Sequence, residues 1–156
     1  MATEIERKFL LRDETWRTEV SRSRDIVQGY LANTALASIR VRLSGSTASL
    51  NIKSMTLGAV RSEFDFPIPV ADARILLDQL CVRPLIEKTR HDVARDGDLF
   101  EIDEFRGENL GLVVAELELA EESRQFERPP WLGEEVTDDP RYYNINLVTR
   151  PFRRWR

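Results

Sequence analysis

Charged residues recur at every second position in several segments of this chain, and that spacing constrains its fold more than any other feature. In Glu4-Ile5-Glu6-Arg7-Lys8-Phe9-Leu10 an extended backbone sends successive side chains to opposite faces. Glu4, Glu6 and Lys8 then share one row, and Ile5, Arg7 and Phe9 the other. The same spacing returns at Arg40 and Arg42, at Arg61, Glu63 and Asp65, at Lys88 and Arg90, at Glu101 and Asp103, and at Glu116 and Glu118. One such row would be a solvated strand face; its repetition through the chain asks for a common explanation.

Segments 3–11, 25–31, 38–43, 48–55, 59–68, 85–95, 98–106 and 112–120 read as strands, most with apolar residues alternating against the charges. Ser44-Gly45-Ser46 and Gly58 break the chain between strands. Asp96-Gly97 suits a two-residue hairpin that needs positive backbone angles. Asp13-Glu14 opens a short helical turn whose Trp16 and Val20 face one side, read as a lid or plug. Positions 71–81 carry the clearest helical stripe, Ile75, Leu76, Leu77 and Leu80, able to cover an apolar sheet face. Pro129-Pro130 marks a bend. Asp139-Pro140 starts a last helix that carries Tyr143, Ile145 and Leu147 and stops at Pro151. This is a mainly β (α+β) pattern with about eight strands, the number that closes an antiparallel barrel without free edges.

Which face looks inward decides the function class. If the apolar rows fill the barrel, the charged rows are ordinary solvated faces. If the charged rows point inward, the barrel is a tunnel lined by acids and bases and the helices cover its apolar outside, which the helix stripes favour. A dry interior would penalise each unpaired charge by several kcal/mol, so such a tunnel holds water, ions or a charged ligand. The length of 156 residues fits one domain. A net charge of -4 argues against a nucleic-acid wrapper. The single cysteine, Cys81, reads as a buried core thiol in a reducing compartment. With no signal peptide and no apolar run near the roughly 20 residues that span a bilayer, the expected location is the cytoplasm.

On the tunnel reading the inward bases are Lys8, Arg40, Arg42, Lys53, Arg61, Lys88 and Arg90. They exceed what one carboxylate ligand needs and suit a small polyanion. The inward acids Glu4, Glu6, Glu63, Asp65, Glu101, Asp103, Glu116 and Glu118 would repel that anion unless hard cations stood between them. Carboxylates without clustered His or Cys point to Mg²⁺ or Mn²⁺ rather than zinc. The combination describes phosphoryl chemistry, and no Gly-rich P-loop is present.

These residues resemble the CYTH proteins, also called triphosphate tunnel metalloenzymes. Glu4-Ile5-Glu6-Arg7-Lys8 is similar to the family's Glu-x-Glu-x-Lys signature. The likeness extends in order through Gln28-Gly29-Tyr30-Leu31, Arg40-Val41-Arg42, Ile52-Lys53, Glu87-Lys88-Thr89-Arg90, Glu101-Ile102-Asp103, Glu116-Leu117-Glu118 and Tyr142-Tyr143-Asn144. Asp65 departs from the glutamate of many members. The resemblance implies a closed eight-stranded antiparallel tunnel with a charged lumen, acting on triphosphates with a divalent metal. Carried over by position, Glu4, Glu6, Glu116 and Glu118 are metal ligands, and Glu63, Glu101 and Asp103 complete a second metal site or orient the attacking water. Lys8, Arg40, Arg42, Lys53, Lys88 and Arg90 hold the triphosphate, and Glu4, Glu6, Lys8, Glu63 and Glu118 form the catalytic set. Arg61 and Asp65 are divided between ligand binding and structural ion pairing.

Tyr30, the lone His91, and Trp16, Trp131 and Trp155 read as packing or structural residues. Arg150, Arg153, Arg154 and Arg156 read as a solvated tail or one that packs on this chain's acids. The leading expectation is metal-dependent hydrolysis of inorganic tripolyphosphate, because no nucleobase pocket is evident. Adenylate cyclase, thiamine or nucleoside triphosphatase, and a polyphosphate-binding module without turnover are the competing readings. The expected partner is a small triphosphate, with no nucleic acid or membrane, and a homodimer is left open.

Overall fold

The computed structural model describes residues 2–56 and 58–155. Nine strands form one antiparallel sheet: β1 (Ala2–Leu11), β2 (Arg22–Asn33), β3 (Ala37–Ser44), β4 (Thr47–Ser54), β5 (Val60–Ile68), β6 (Ile86–Arg95), β7 (Asp98–Phe105), β8 (Val113–Glu118) and β9 (Leu132–Glu135). Helix α1 (Val70–Gln79) follows β5, and α2 (Asn144–Thr149) follows a 3-10 turn at Pro140–Tyr142. Eight strands close on themselves in the order β1-β5-β4-β3-β2-β6-β7-β8, as the charge spacing led us to expect. The ninth, β9, is an addition that no alternation in the sequence announced.

The opening strand is the seam of the barrel. Along one edge it pairs with β8, placing Glu6 opposite Glu118 and Lys8 opposite Glu116. Its other edge is shared: Ala2 to Ile5 pair with β5, with Glu4 opposite Arg61, whereas Phe9 and Leu11 pair with β9. The Asp96-Gly97 hairpin between β6 and β7 has φ of 50° and 82°, the left-handed pair its sequence called for.

The apolar rows lie outside the barrel and are covered there. Phe9, Val93, Phe100, Ile102, Ala115 and Leu117 pack with Trp16, Trp131 and Leu132 in one buried cluster. On the far side Ala73 and Leu77 of α1, with Cys81, cover Val41 and Ala48. Cys81 approaches so closely that a Cβ on Gly29 would lie 2.7 Å from its Cβ, so the glycine makes room for the buried thiol. The outer row of β5 is only partly covered: Val60, Phe64 and Phe66 remain 39%, 37% and 50% exposed.

The Trp16 turn, Thr15–Glu19, does not serve as a lid or plug. Its tryptophan is buried against the outer face of the wall, because that apolar row needs cover more than the polar lumen does. The plug is α2 instead. Ile145, Leu147 and Val148 pack with Ile86, Phe105, Leu112 and Val114, where the inner rows of β6, β7 and β8 turn apolar, and close one end of the barrel. No helix is long and apolar enough to cross a membrane among the described residues.

Candidate active site

Strand pairing carries the charged rows to the inside in register. Glu116 lies opposite both Lys8 and Glu101, Arg90 opposite Asp103, Arg40 opposite Asn51, and Lys53 opposite Glu63. They enclose a cavity of about 440 Å³, bounded also by Arg24, Tyr30, Tyr143, Asn144 and Ile145. Every sequence-expected site residue lines it except Asp103, which sits directly behind Arg90 and Lys88.

Most of the acids are held by bases. Asp103, fully buried, receives Arg90 through two bonds (Nε to Oδ1 2.7 Å, Nη2 to Oδ2 2.9 Å) and Lys88 Nζ at 2.8 Å. Glu116 takes Lys8 Nζ at 2.9 Å and Arg90 Nη2 at 3.2 Å, and Lys8 also lies 3.4 Å from Glu6. Lys53 sits between Glu4 at 2.8 Å and Glu63 at 3.5 Å. Glu101 is shared by Arg24 at 3.0 Å and Arg90 at 3.3 Å. Glu118, exposed at the end of β8, has no basic partner among the described residues.

Burial and crowding set the charge states. Burial raises Glu116, but Lys8, Arg90 and Lys88 outweigh it and hold the carboxyl well below its ordinary value. Glu6 goes the other way: burial first, then Glu116 and Glu4, push it up to about 7 against the pull of Lys8 and Lys53. Burial and then the neighbouring Glu4, Glu6, Glu63 and Glu101 raise Glu118 as well. Lys88 is lowered to about 7 by burial, with Arg90 and Arg42 adding to the effect and Asp103 and Glu116 opposing it. Burial, then Arg40 and Arg90, bring Arg42 down to about 9. Arg40, Arg42 and Arg61 have no acidic partner among the described residues; the Arg61 guanidinium lies over the Tyr143 ring at 4.5 Å. The cavity thus has one wall of bases without counter-ions and another of carboxylates that repel one another.

That chemistry fits a divalent cation together with a polyanion. As placed, no three acidic, histidine or cysteine side chains among the described residues converge closely enough to hold a metal ion. The donor set is nevertheless all hard oxygen, and Glu118, without a basic partner among the described residues and raised by burial and then by Glu4, Glu6, Glu63 and Glu101, marks where a cation would be accommodated.

Residues 2–150 match the CYTH domain. The chain belongs to the CYTH family. Over 156 residues this CYTH chain is 40% identical to an inorganic triphosphatase of Acetivibrio thermocellus, covering 100% of this chain and 99% of that one. It is 39% identical over 150 residues to an inorganic triphosphatase of Nitrosomonas europaea, covering 94% and 97% of the two chains. The crystal structure of the inorganic triphosphatase NE1496 superposes with a TM-score of 0.68 at 35% identity, over 95% of each chain. The barrel fold is therefore shared with the NE1496 structure over 95% of each chain.

Among the lining residues that sequence reasoning missed are Arg24, Tyr143 and Asn144. Arg24 lies one residue before the strand was expected to begin; β2 starts at Arg22, and Arg24 turns inward beside Glu101. Asn144 carries no charge, so the search for charged rows passed over it, as it did over Gln28, which bonds Asn144 and Arg42 from behind the lining, and Tyr143 reaches the cavity from a different element. Asn51 fixes Asp65 through a 3.3 Å bond from Nδ2 to Oδ1. His91 lies outside the lumen, bonded to Ser23 at 2.7 Å and Glu104 at 3.1 Å beside Trp16. Within the basic tail Arg153 reaches Glu108 at 3.5 Å, while Arg156 lies outside the described residues.

Proposed function

We propose that this chain hydrolyses inorganic tripolyphosphate to pyrophosphate and phosphate in the cytoplasm, with Mg²⁺ or Mn²⁺ as cofactor. The observation that carries the reading is the two-sided cavity, in which unpaired arginines face crowded carboxylates within about 440 Å³. The volume and the predominantly charged walls suit a phosphate chain. The two inorganic triphosphatases that match nearly all of the chain support the same substrate class.

Arg40, Arg42, Lys53, Lys88 and Arg90 bind the phosphate oxygens, and Lys8 neutralises charge that develops on the leaving group. Glu116 fixes Lys8 and Arg90, so that both present their charge from set positions. Asp103, with both oxygens engaged, serves this scaffold as the counter-ion of Arg90 and Lys88. Glu4, Glu6, Glu118 and Glu63, with Glu101 and Glu116 completing the set, are the residues that would hold the metal. When bound, a divalent ion supplies Lewis-acid stabilisation of the phosphate charge and lowers the pKa of a water. Glu63 orients the attacking water for in-line displacement at a terminal phosphorus.

Phosphate release from tripolyphosphate, ATP and thiamine triphosphate, each with Mg²⁺ and with Mn²⁺, tests the proposal, with Glu4→Gln as control. Selective tripolyphosphate turnover that disappears in the variant is the expected outcome. Equal turnover of ATP, or cyclic AMP as its product, would overturn the substrate assignment.

A further inference from the structure

The Tyr142-Tyr143-Asn144 stretch has no part in the reaction as set out above, yet Asn144 reaches into the cavity. The chain just before it is firmly held. The Tyr143 hydroxyl donates to the Thr137 carbonyl at 2.8 Å and accepts the Gly58 N–H at 3.2 Å, and Arg61 covers the ring. Asn144 then opens α2, the helix that plugs the barrel.

From that position its carboxamide oxygen accepts two hydrogen bonds, from Lys88 Nζ at 3.0 Å and from Gln28 Nε2 at 3.0 Å. Gln28 passes the arrangement on, because its own oxygen accepts Arg42 Nε at 3.1 Å. Lys88 and Gln28 are both fully buried, so no bulk water replaces these bonds. An ammonium has three protons; Asp103 and Asn144 take two and leave one for a ligand in the cavity. If the Asn144 oxygen were absent, Lys88 would be drawn to Asp103 alone, and the Gln28 amide would be free to turn away from Arg42.

We infer that Asn144 is a positioning residue for the triphosphate, a single acceptor on the plug helix that aims Lys88 and, through Gln28, Arg42 at the phosphate chain. This rests on the reading that the cavity binds tripolyphosphate. Lys88 and Arg42 would touch phosphate in the ground state and the transition state alike, so losing their alignment weakens binding more than it slows chemistry.

The test is a double-variant cycle read in two ways: KM and kcat for tripolyphosphate with metal, and tripolyphosphate affinity by calorimetry in chelator. Asn144→Ala is expected to raise KM and Kd about tenfold, the loss of one hydrogen bond to a charged group, while kcat stays within about threefold. In a Lys88→Met background the same substitution should change Kd by no more than about threefold, the share that runs through Gln28 and Arg42, because the Lys88 branch has nothing left to align. Effects that multiply independently, or a fall in kcat with KM unchanged, would overturn the inference. If Asn144→Ala does not fold, Gln28→Ala tests the other branch: about a threefold loss in affinity, absent in the Arg42→Met background, with persistence there counting against us. A wild-type protein that neither binds nor hydrolyses tripolyphosphate refutes the proposed function. One that does both, with Asn144→Ala unchanged, refutes only the role of Asn144.

Discussion

Replacing Glu6 by glutamine should stabilise the metal-free protein at alkaline pH while abolishing metal-dependent activity. Glu6 stands opposite Glu118 across the β1 and β8 seam and feels Glu116 and Glu4 as well. Its carboxyl, ordinarily at 4.5, is raised to about 7 by burial and then by these acids, with the help of Lys8 and Lys53 already counted against the rise. Ionising it inside the fold therefore costs about 3 kcal/mol more than in the unfolded chain, at about 1.4 kcal/mol per pH unit. Below pH 4.5 both states keep the proton and the group contributes nothing; between about 4.5 and 7 the unfolded chain releases it first and the native state loses stability, the loss levelling off above 7. The penalty is below about 1 kcal/mol at pH 5 and near its full value of about 3 kcal/mol at pH 8. Relaxation of the neighbouring side chains reduces it, so we expect Glu6→Gln to gain about 2 kcal/mol at pH 8, or about 4 to 8 °C in Tm. Thermal unfolding in chelator at the two pH values measures the difference, and adding Mg²⁺ or Mn²⁺ should stabilise the wild type more than the variant. A variant less stable than wild type at pH 8 in chelator, or a gap of the same size at pH 5, would refute the reasoning.

Arg90→Met strips Asp103 of two bonds in a fully buried place, and urea unfolding should show a loss of about 3 kcal/mol, with Arg90→Lys recovering part of it. Gly29→Ala drives a methyl group to 2.7 Å from Cys81 and 2.8 Å from Leu85, so it should cost about 1 to 3 kcal/mol, and adding Cys81→Gly should recover part of that; additive losses in the double variant would disprove the clash. Trp16→Leu tests the outer-wall position of the Thr15–Glu19 turn: stability should fall by about 2 kcal/mol while kcat stays within about twofold, whereas a large fall in kcat in folded protein would reinstate a lid.

The rows were legible because a strand repeats every two residues, and that period assigns faces without knowledge of the fold. Parity alone put Glu4, Glu6, Lys8, Arg90 and Glu116 on one side of their strands. Which side faced inward was not in the period; it depended on whether other elements covered the apolar rows, and Trp16, Trp131 and α1 do so through contacts distant in sequence. The four residues of β9 are too few to display alternation, so the added strand was hidden; the last helix was expected, with Ile145 and Leu147 on it, but six residues are too few for a stripe that would mark it as the plug. Ion pairing was hidden for a different reason. Lys53 takes Glu4 and Glu63 from two different strands, a choice fixed by barrel register rather than by any local spacing. Asp103 looked like Glu101 in the sequence, two positions away on the same strand face, yet depth separates them: one is fully enclosed by Arg90 and Lys88, the other reaches the cavity.

The charge imbalance within the lumen leads to a last prediction. Arg40 and Arg42 are adjacent on the inner face of β3, and neither meets an acid among the described residues, while Arg42 is lowered to about 9 by burial first and then by Arg40 and Arg90. A guanidinium held below its ordinary range costs the folded protein stability at neutral pH, a cost that fades only as pH climbs through 9 toward 12.5. A polyanion among these side chains removes that cost directly. Tripolyphosphate should accordingly raise Tm in chelator at pH 7.5, where no turnover occurs, by an amount that grows with ligand concentration as RT ln(1 + [L]/Kd). Because the pairs form inside the barrel, the effect should fall only modestly between low and physiological salt, in contrast to an anion gathered at exposed arginines such as Arg153 and Arg154. Arg42→Met should start from a higher Tm than wild type and gain less from the anion. A variant that starts lower would refute the burial cost assigned to Arg42, and one that gains as much as wild type would mean that the phosphate chain is held elsewhere in the cavity.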